Sequence, residues 1–301
     1  MHVLITGGAG FIGSHLADAL LAAGDRVTIL DNLSCGNADN IPREAAFENV
    51  DLAGPDVNEA FQRYRPDVVV HCAAQASVVG SMDRPLDDFR INQWATWQVA
   101  QASVRNEVRQ LVFLSSGGAI YGDVQRPAVE SDLPHPSNFY GVHKWAAERY
   151  VELSQAPATI LRLANVFGPR QRSNLEGGVV AIFLDRLIED KPILLYGGEQ
   201  TRDFLYVSDV VDAIVATIRH QMLGIWNVGS GQEVTIRALL TLIEGEVGRV
   251  ANLRLEPRRP SDVSRSCVDA TRLVGTGHWR RRVDLGDGIR QILAMTLSAR
   301  R

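Results

Sequence analysis

Thr6-Gly7-Gly8-Ala9-Gly10-Phe11-Ile12-Gly13 follows the compact apolar run His2–Thr6. It opens Phe11–Ala23, where Phe11, Ile12, His15, Leu16, Ala19 and Leu20 recur on one side of a helix. Gly7, Gly10 and Gly13 are spaced three apart. A chain passing from strand to helix here must turn sharply, admit a pyrophosphate to its backbone and pack the helix on the sheet. The absence of a side chain serves each need, and the helix N-terminus faces the negative charge. The next run, Arg26–Leu30, leads into Asp31, 18 residues beyond Gly13. A carboxylate there accepts from both adenosine ribose hydroxyls and repels a 2′-phosphate, which favours NAD over NADP.

Outward from this loop, short apolar runs alternate with helical stretches: Val68–His71, Leu111–Ser115 and Thr159–Leu163. That rhythm implies an α/β fold, a doubly wound parallel sheet of the Rossmann-like kind. After about Phe167, Gly168-Pro169, Gly177-Gly178, Gly197-Gly198 and Pro257–Pro260 punctuate shorter elements. The expected organisation is an NAD-binding domain over 1–166 and a smaller C-terminal substrate domain over 167–301. A strand near Ile225–Val228 is expected to return to the main sheet.

The 301 residues are 46% hydrophobic and 22% charged, which excludes disorder or coiled coil as a whole-chain reading. The net charge of −4 offers no global basic field, so no nucleic-acid partner is expected. No apolar run reaches the roughly 18 residues of a membrane span, and the opening Met1–Gly7 lacks a signal peptide's pattern. The expectation is a cytoplasmic protein without a membrane partner. Cys35, Cys72 and Cys267 are far apart, which predicts reduced, buried thiols and no metal site. Arg280–Arg282 reads as a solvated face.

Lysine occurs only at Lys144 and Lys191. Tyr140-Gly141-Val142-His143-Lys144 places a tyrosine and one of these lysines four apart, on one helix face. Six tyrosines and two lysines in this length make a chance match worth about 0.04 occurrences. A tyrosine with a pKa of roughly 10 is a poor base. A neighbouring ammonium, and the positive ring of oxidised NAD, draw that pKa toward the working range.

With these motifs the chain resembles the extended short-chain dehydrogenase/reductase family and, within it, the nucleotide-sugar 4-epimerases. The resemblance also rests on Asp31-Asn32-Leu33-Ser34, Asp51-Leu52, His71-Cys72-Ala73-Ala74-Gln75, Asn92, Arg162–Gln171, Gln200–Phe204 and Arg259–Asp262. It implies cofactor contacts from Gly7, Gly10, Phe11, Ile12 and Gly13, and from Asp31, Asn32, Ser34 and Gly36. Asp51 and Leu52 would sit beside the adenine, and Ala73, Ala74 and Gln75 along the cofactor's middle with Asn92 behind. Tyr140 and Lys144 would face its reactive end. For a nucleoside-diphosphate sugar it implies Ser81, Asn165, Gly178, Val179, Tyr196 against the uracil, Arg202, Arg259 and Asp262. Two arginines neutralise a diphosphate, and Asp262 accepts from ribose hydroxyls. The implied chemistry inverts C4 of a UDP-sugar through a transient 4-keto sugar, with NAD bound throughout. The family also suggests a homodimer through first-domain helices. Trp94, Trp97 and Ala100, on a helix from about Asn92 to Ser103, suit core or interface.

The sequence departs from that pattern in one place. The family's usual catalytic Ser or Thr, four residues before the tyrosine of Tyr121-Gly122, is Gly117. Ser116 or an ordered water would supply the missing donor. Gly118 and Ala119 provide no carboxylate, which tells against 4,6-dehydratases and decarboxylases. Arg172, after Gly168-Pro169-Arg170-Gln171, resembles the group holding the C6 carboxylate in UDP-glucuronate 4-epimerases, and its other reading is an exposed loop arginine. Arg172 tilts the expectation to UDP-glucuronate/UDP-galacturonate, with UDP-glucose/UDP-galactose as the alternative. Ser266 falls where a small residue leaves room near C2 of the sugar. Two further alternatives stand: a net NAD-dependent dehydrogenase or reductase, and a non-catalytic binder.

Overall fold

The computed structural model describes residues 1–174, 178–259 and 262–299. Its strands are β1 (His2–Thr6), β2 (Arg26–Asp31), β3 (Ala46–Asn49), β4 (Val68–His71), β5 (Gln110–Ser116), β6 (Ala158–Leu163), β7 (Asn165–Phe167), β8 (Ile193–Tyr196), β9 (Thr201–Tyr206), β10 (Gly224–Val228), β11 (Glu233–Thr235), β12 (Leu253–Glu256) and β13 (Arg265–Ser266). The helices are α1 (Phe11–Ala22), α2 (Val57–Tyr64), α3 (Val78–Asp83), α4 (Pro85–Asp88), α5 (Ala95–Arg105), α6 (Gly117–Ile120), α7 (Phe139–Leu153), α8 (Val179–Ile188), α9 (Val207–Arg219), α10 (Ile236–Val247), α11 (Thr271–Val274) and α12 (Leu285–Ala299). A π-helical turn, Phe89–Trp94, joins α4 to α5.

The chain forms two compact units whose boundaries interleave. The first comprises Met1–Ser116, Asn138–Arg162 and Val211–Trp226, and the second Gly117–Ser137, Leu163–Val210 and Asn227–Arg301. One boundary near residue 166 therefore does not describe the division. After β5 the chain enters the second unit, where Val124 and Ala128 N–H groups donate to the Arg265 and Cys267 carbonyls. It returns to the first unit at α7.

The first unit is built on a seven-stranded sheet in the order β10-β6-β5-β4-β1-β2-β3. β10 forms one edge of this sheet, beside β6. The pairs of β1 with β2 and β4, β2 with β3, and β4 with β5 are parallel. All five residues of β1 and all four of β4 are buried, as expected of strands covered on both faces. Chain order reverses at β1, the switch point where open α/β sheets place a ligand, at the carboxyl ends of the strands. Phe61, Phe113, Leu4 and Leu111 lie at the centre of this core. Truncating one such phenylalanine to alanine costs about 3–5 kcal/mol. Asn138 fixes where α7 begins, its side-chain oxygen accepting from Gly141 N–H at 2.9 Å.

In the second unit β9 is central, pairing with β7, β11 and β13, and β8 pairs with β12 in parallel. Thr235 caps α10 by accepting from Ala238 N–H at 3.0 Å. Among the described residues no helix is long and apolar enough to cross a membrane. The cysteines are free, and Cys35 is exposed rather than buried, because it lies in the loop after β2.

Candidate active site

In the first unit the glycine loop is shaped by close approach. Gly7 has a φ of +69°, and a Cβ there would stand 2.6 Å from the Ala73 nitrogen. A Cβ on Gly13 would collide with the Gly7 carbonyl, and Gly10 lies against that same carbonyl. Gly10 caps α1 with no side-chain hydrogen bond, so the first-turn N–H groups are left to a ligand. Phe11 is buried, packed edge-on to His15, and Ile12 is half-buried.

Asp31 ends β2 beside the glycine loop. Its Oδ2 accepts from Ala9 N–H at 3.0 Å and its Oδ1 from Leu33 N–H at 2.8 Å. Each oxygen keeps a lone pair for a ribose hydroxyl. Gly36 packs so close that a Cβ would stand 3.0 Å from Asp31 Oδ1. Asn32 accepts from Ser34 N–H, and Asp51 from Ala53 N–H, each at 3.0 Å, while Leu52 is buried. A strand-end carboxylate, a side-chain-free loop and an open helix N-terminus together fit a dinucleotide without a 2′-phosphate.

Behind the loop, Ala73 and Ala74 lead to Gln75, whose N–H donates to Asn92 Oδ1 at 3.0 Å. Asn92 Nδ2 donates back to the Gln75 carbonyl at 2.9 Å. Both side chains also donate to Asp88 Oδ1, at 2.9 Å each. The carboxylate is fully buried, and its Oδ2 accepts from His143 Nδ1 at 2.5 Å.

Tyr140 and Lys144 lie one turn apart on α7. Burial pushes the Tyr140 phenol up to about 12; a hydrogen bond from Ser116 lowers it and the Asp88 charge raises it. Burial lowers the Lys144 ammonium to about 8, against the raising influence of Glu148, Cys72 and Asp88. Lys144 Nζ donates to the Leu114 carbonyl at 2.6 Å and lies 4.2 Å from the centre of the Phe113 ring. Ser116 thus lies within hydrogen-bonding reach of the phenol. Ser81, expected at the sugar, is fully buried: its hydroxyl donates to the Val78 carbonyl and accepts from Tyr140 N–H at 3.1 Å. It holds the start of α7.

In the second unit the geometry joins Tyr196 and Arg259, the guanidinium lying 3.9 Å from the ring centre. Parallel pairing of β8 with β12 sets this up, since Tyr196 and Glu256 are in register. Arg202 donates to the Thr201 and Val263 carbonyls at 2.8 and 2.7 Å. Burial lowers its pKa while the charges of Asp262 and Asp123 raise it. Asp262 N–H donates to the Arg259 carbonyl at 3.1 Å. Asn165 donates to the Asp203 carbonyl at 3.2 Å, and Ser266 to the Gly118 carbonyl at 3.2 Å. Gly178 and Val179 begin α8, and a Cβ on Gly178 would run into Gln171. Arg172 is exposed.

Asp88 and His143 are not singled out in the sequence. Their signals are a carboxylate one helical turn before Asn92 and an imidazole inside the Tyr–Lys interval.

A model of the NAD-dependent epimerase/dehydratase family matches residues 3–229. The UDP-glucose 4-epimerase of Mycolicibacterium smegmatis is 38% identical over 301 residues, 96% of each chain. The crystal structure of Thermus thermophilus UDP-glucose 4-epimerase in complex with NAD matches with a TM-score of 0.95 at 39% identity, covering 99% of this chain and 100% of that one. UDP-glucuronic acid 4-epimerase from Bacillus cereus, in complex with UDP-glucuronic acid and NAD, gives a TM-score of 0.90 at 26% identity, covering 98% and 100%.

Proposed function

The chain belongs to the NAD-dependent epimerase/dehydratase family, and from that premise we propose that it is a UDP-sugar 4-epimerase acting on UDP-glucose and UDP-galactose. The observation that carries this reading is the grouping of Tyr140, Ser116 and Lys144 in the unit that bears the glycine loop. The relatives at 38% and 39% identity are named UDP-glucose 4-epimerases, which supports the neutral hexose.

Gly7, Gly10, Gly13, Asp31, Ala73, Gln75 and Asn92 would hold NAD. When bound, oxidised NAD supplies the hydride acceptor for C4 and a positive charge that draws the phenol pKa down. Tyr140 takes the proton of the sugar 4-hydroxyl and later returns it. Ser116 donates to the 4-oxygen in place of the hydroxyl missing at Gly117. Lys144 supports the phenolate with its ammonium. The 4-keto sugar turns over about its link to the diphosphate and is reduced on the other face. In the second unit, Arg202 and Arg259 neutralise the diphosphate, Asp262 accepts from the uridine ribose and Tyr196 packs against the base. Gly118 and Ala119 hold no base for a C5 proton, which favours epimerisation over elimination.

A second reading, UDP-glucuronate/UDP-galacturonate, has one observation in its favour: Arg172 stands exposed on the loop after Gln171, with a guanidinium suited to a carboxylate. A homodimer is also part of the proposal. Phe139, Val142, Tyr150 and Leu153 form an exposed stripe along α7, beside the buried residues Lys144, Ala147 and Val151.

The deciding experiment offers the purified protein UDP-glucose and UDP-glucuronate separately and resolves the C4 epimers by chromatography. Faster conversion of UDP-glucose supports the proposal. Faster conversion of the uronate, lost on Arg172→Gln, replaces it with the second reading. Stoichiometric NADH release, or no conversion of either with NAD supplied, overturns both.

A further inference from the structure

We propose that Asp88 and His143 are positioning residues for the Tyr140–Lys144 pair, with Asp88 tying α7 to the Gln75–Asn92 wall and supporting the Lys144 ammonium through its charge. The inference deepens the epimerase reading and rests on it for its kinetic part.

The geometry is a closed network. Asp88 Oδ1 accepts from the amides of Gln75 and Asn92, and these two residues are themselves joined by a pair of hydrogen bonds. Asp88 Oδ2 accepts from His143 Nδ1 at 2.5 Å. His143 lies three residues after Tyr140 and immediately before Lys144 on α7. Its bond therefore fixes the rotation of the helix that aims both side chains. Phe139 stacks on the imidazole at 6.1 Å and Phe89 meets it edge-on at 5.9 Å, so the ring is held from two elements.

A buried carboxylate is costly to keep charged. Among the described residues Asp88 has no hydrogen bond from lysine or arginine; two amides and one imidazole satisfy it. Its charge is felt at both reacting groups, raising the pKa of the Tyr140 phenol and of the Lys144 ammonium. The other titratable groups around Lys144 are Cys72 and His71 at the end of β4, and Glu148 on α7. Asp88 is thus one of two carboxylates that offset the cost of burying the ammonium.

Asp88→Asn isolates the charge. An amide keeps the shape and the three hydrogen bonds, its oxygen toward Gln75 and Asn92 and its nitrogen toward a bare His143 Nδ1. Because the chain has only Lys144 and Lys191, lysine-selective ¹³C labelling reads the two ammonium titrations directly by NMR, without cofactor. The Lys144 midpoint is expected to be lower in D88N than in the parent chain, with Lys191 unmoved. The alkaline limb of kcat is expected to move down with it while KM for the sugar nucleotide stays within about twofold. His143→Phe keeps the aromatic stack and removes the donor; kcat is expected to fall about tenfold at constant KM. His143→Asn restores an N–H near the place of Nδ1 and is expected to recover most of that loss. An unchanged Lys144 midpoint in D88N, or wild-type kcat in H143F, overturns the proposal. If the parent protein epimerises no sugar nucleotide, the epimerase reading fails, while the NMR titration still decides the role of Asp88.

Discussion

A phenol pushed up to about 12 holds its proton at neutral pH, so Tyr140 becomes a base only when a positive charge is brought beside it. Tyr140→Phe is expected to lower epimerisation by about 10²–10⁴-fold and to leave NAD affinity within a few fold, read by turnover and by cofactor titration. Close by, His71 accepts from the Thr6 hydroxyl at Nδ1 and donates to Thr96 Oγ1, whose own proton goes to the Asn92 carbonyl. Burial and the Lys144 charge lower its pKa to about 3, which leaves the ring neutral and makes Nδ1 the acceptor. The unfolded chain binds that proton below about 6.5 and the folded one only below about 3. The unfolded state therefore holds more protons between those values, and stability falls as pH falls through that window. Between about pH 6.5 and 4.5 the loss from this group is of the order of 2–3 kcal/mol. Denaturant titrations of the parent and of His71→Asn across that range should show a shallower slope for the variant. At this scale the places of Asp31 at a strand end and of Tyr140 and Lys144 one turn apart on a helix are legible in the sequence, because spacing defines them. The hydrogen bonds of Ser81, Asp88 and His143 are not, because they join partners 59, 13 and 55 residues apart.

The glycine loop is the element on which the dinucleotide reading stands, and steric contact makes it testable. Gly7 and Gly24 both have positive φ, but a Cβ on Gly7 would meet the Ala73 backbone whereas one on Gly24 meets nothing within 4 Å. Gly7→Ala is expected to cost about 2–4 kcal/mol and to abolish NAD binding. Gly24→Ala carries only the conformational penalty of about 1 kcal/mol and keeps NAD binding. Equal effects in thermal unfolding would remove close approach as the reason for Gly7. The buried strands β1, β4, β5 and β6 show in the sequence as apolar runs. β3 does not: it is an edge strand, Ala-Phe-Glu-Asn, with three residues exposed, and its pairing with β2 makes it a strand. The same holds for β11 and β13, two or three residues long, which exist through β9. The helix expected from Asn92 begins instead as a π-helical turn at Phe89, which places Asn92 inward with Trp94 stacked on Trp97 at 4.8 Å.

For the whole molecule, α7 carries the assembly prediction as well as the chemistry. Its inner face holds Lys144, and its outer stripe exposes Leu153 at 78%, beside Phe139, Val142 and Tyr150. A helix apolar on both faces calls for cover on the second. In a twofold interface each stripe residue is used twice, once by each protomer. Burying one leucine side chain is worth about 1.5–3 kcal/mol, so Leu153→Lys removes roughly twice that from a symmetric contact. The dimer dissociation constant should then rise by about 10²–10⁴-fold. Sedimentation velocity is expected to show a dimer for the parent chain at micromolar concentration and a monomer for Leu153→Lys. A parent chain that sediments as a monomer, or a variant that stays dimeric, would place the interface elsewhere or nowhere. The substitution also separates assembly from chemistry. Leu153 lies beyond the buried residues His143, Lys144, Ala147 and Val151, so a folded monomer should keep the parent's Lys144 titration. Any loss of turnover in that monomer would then trace to the assembly itself, and not to the proton chemistry on the inner face of the helix.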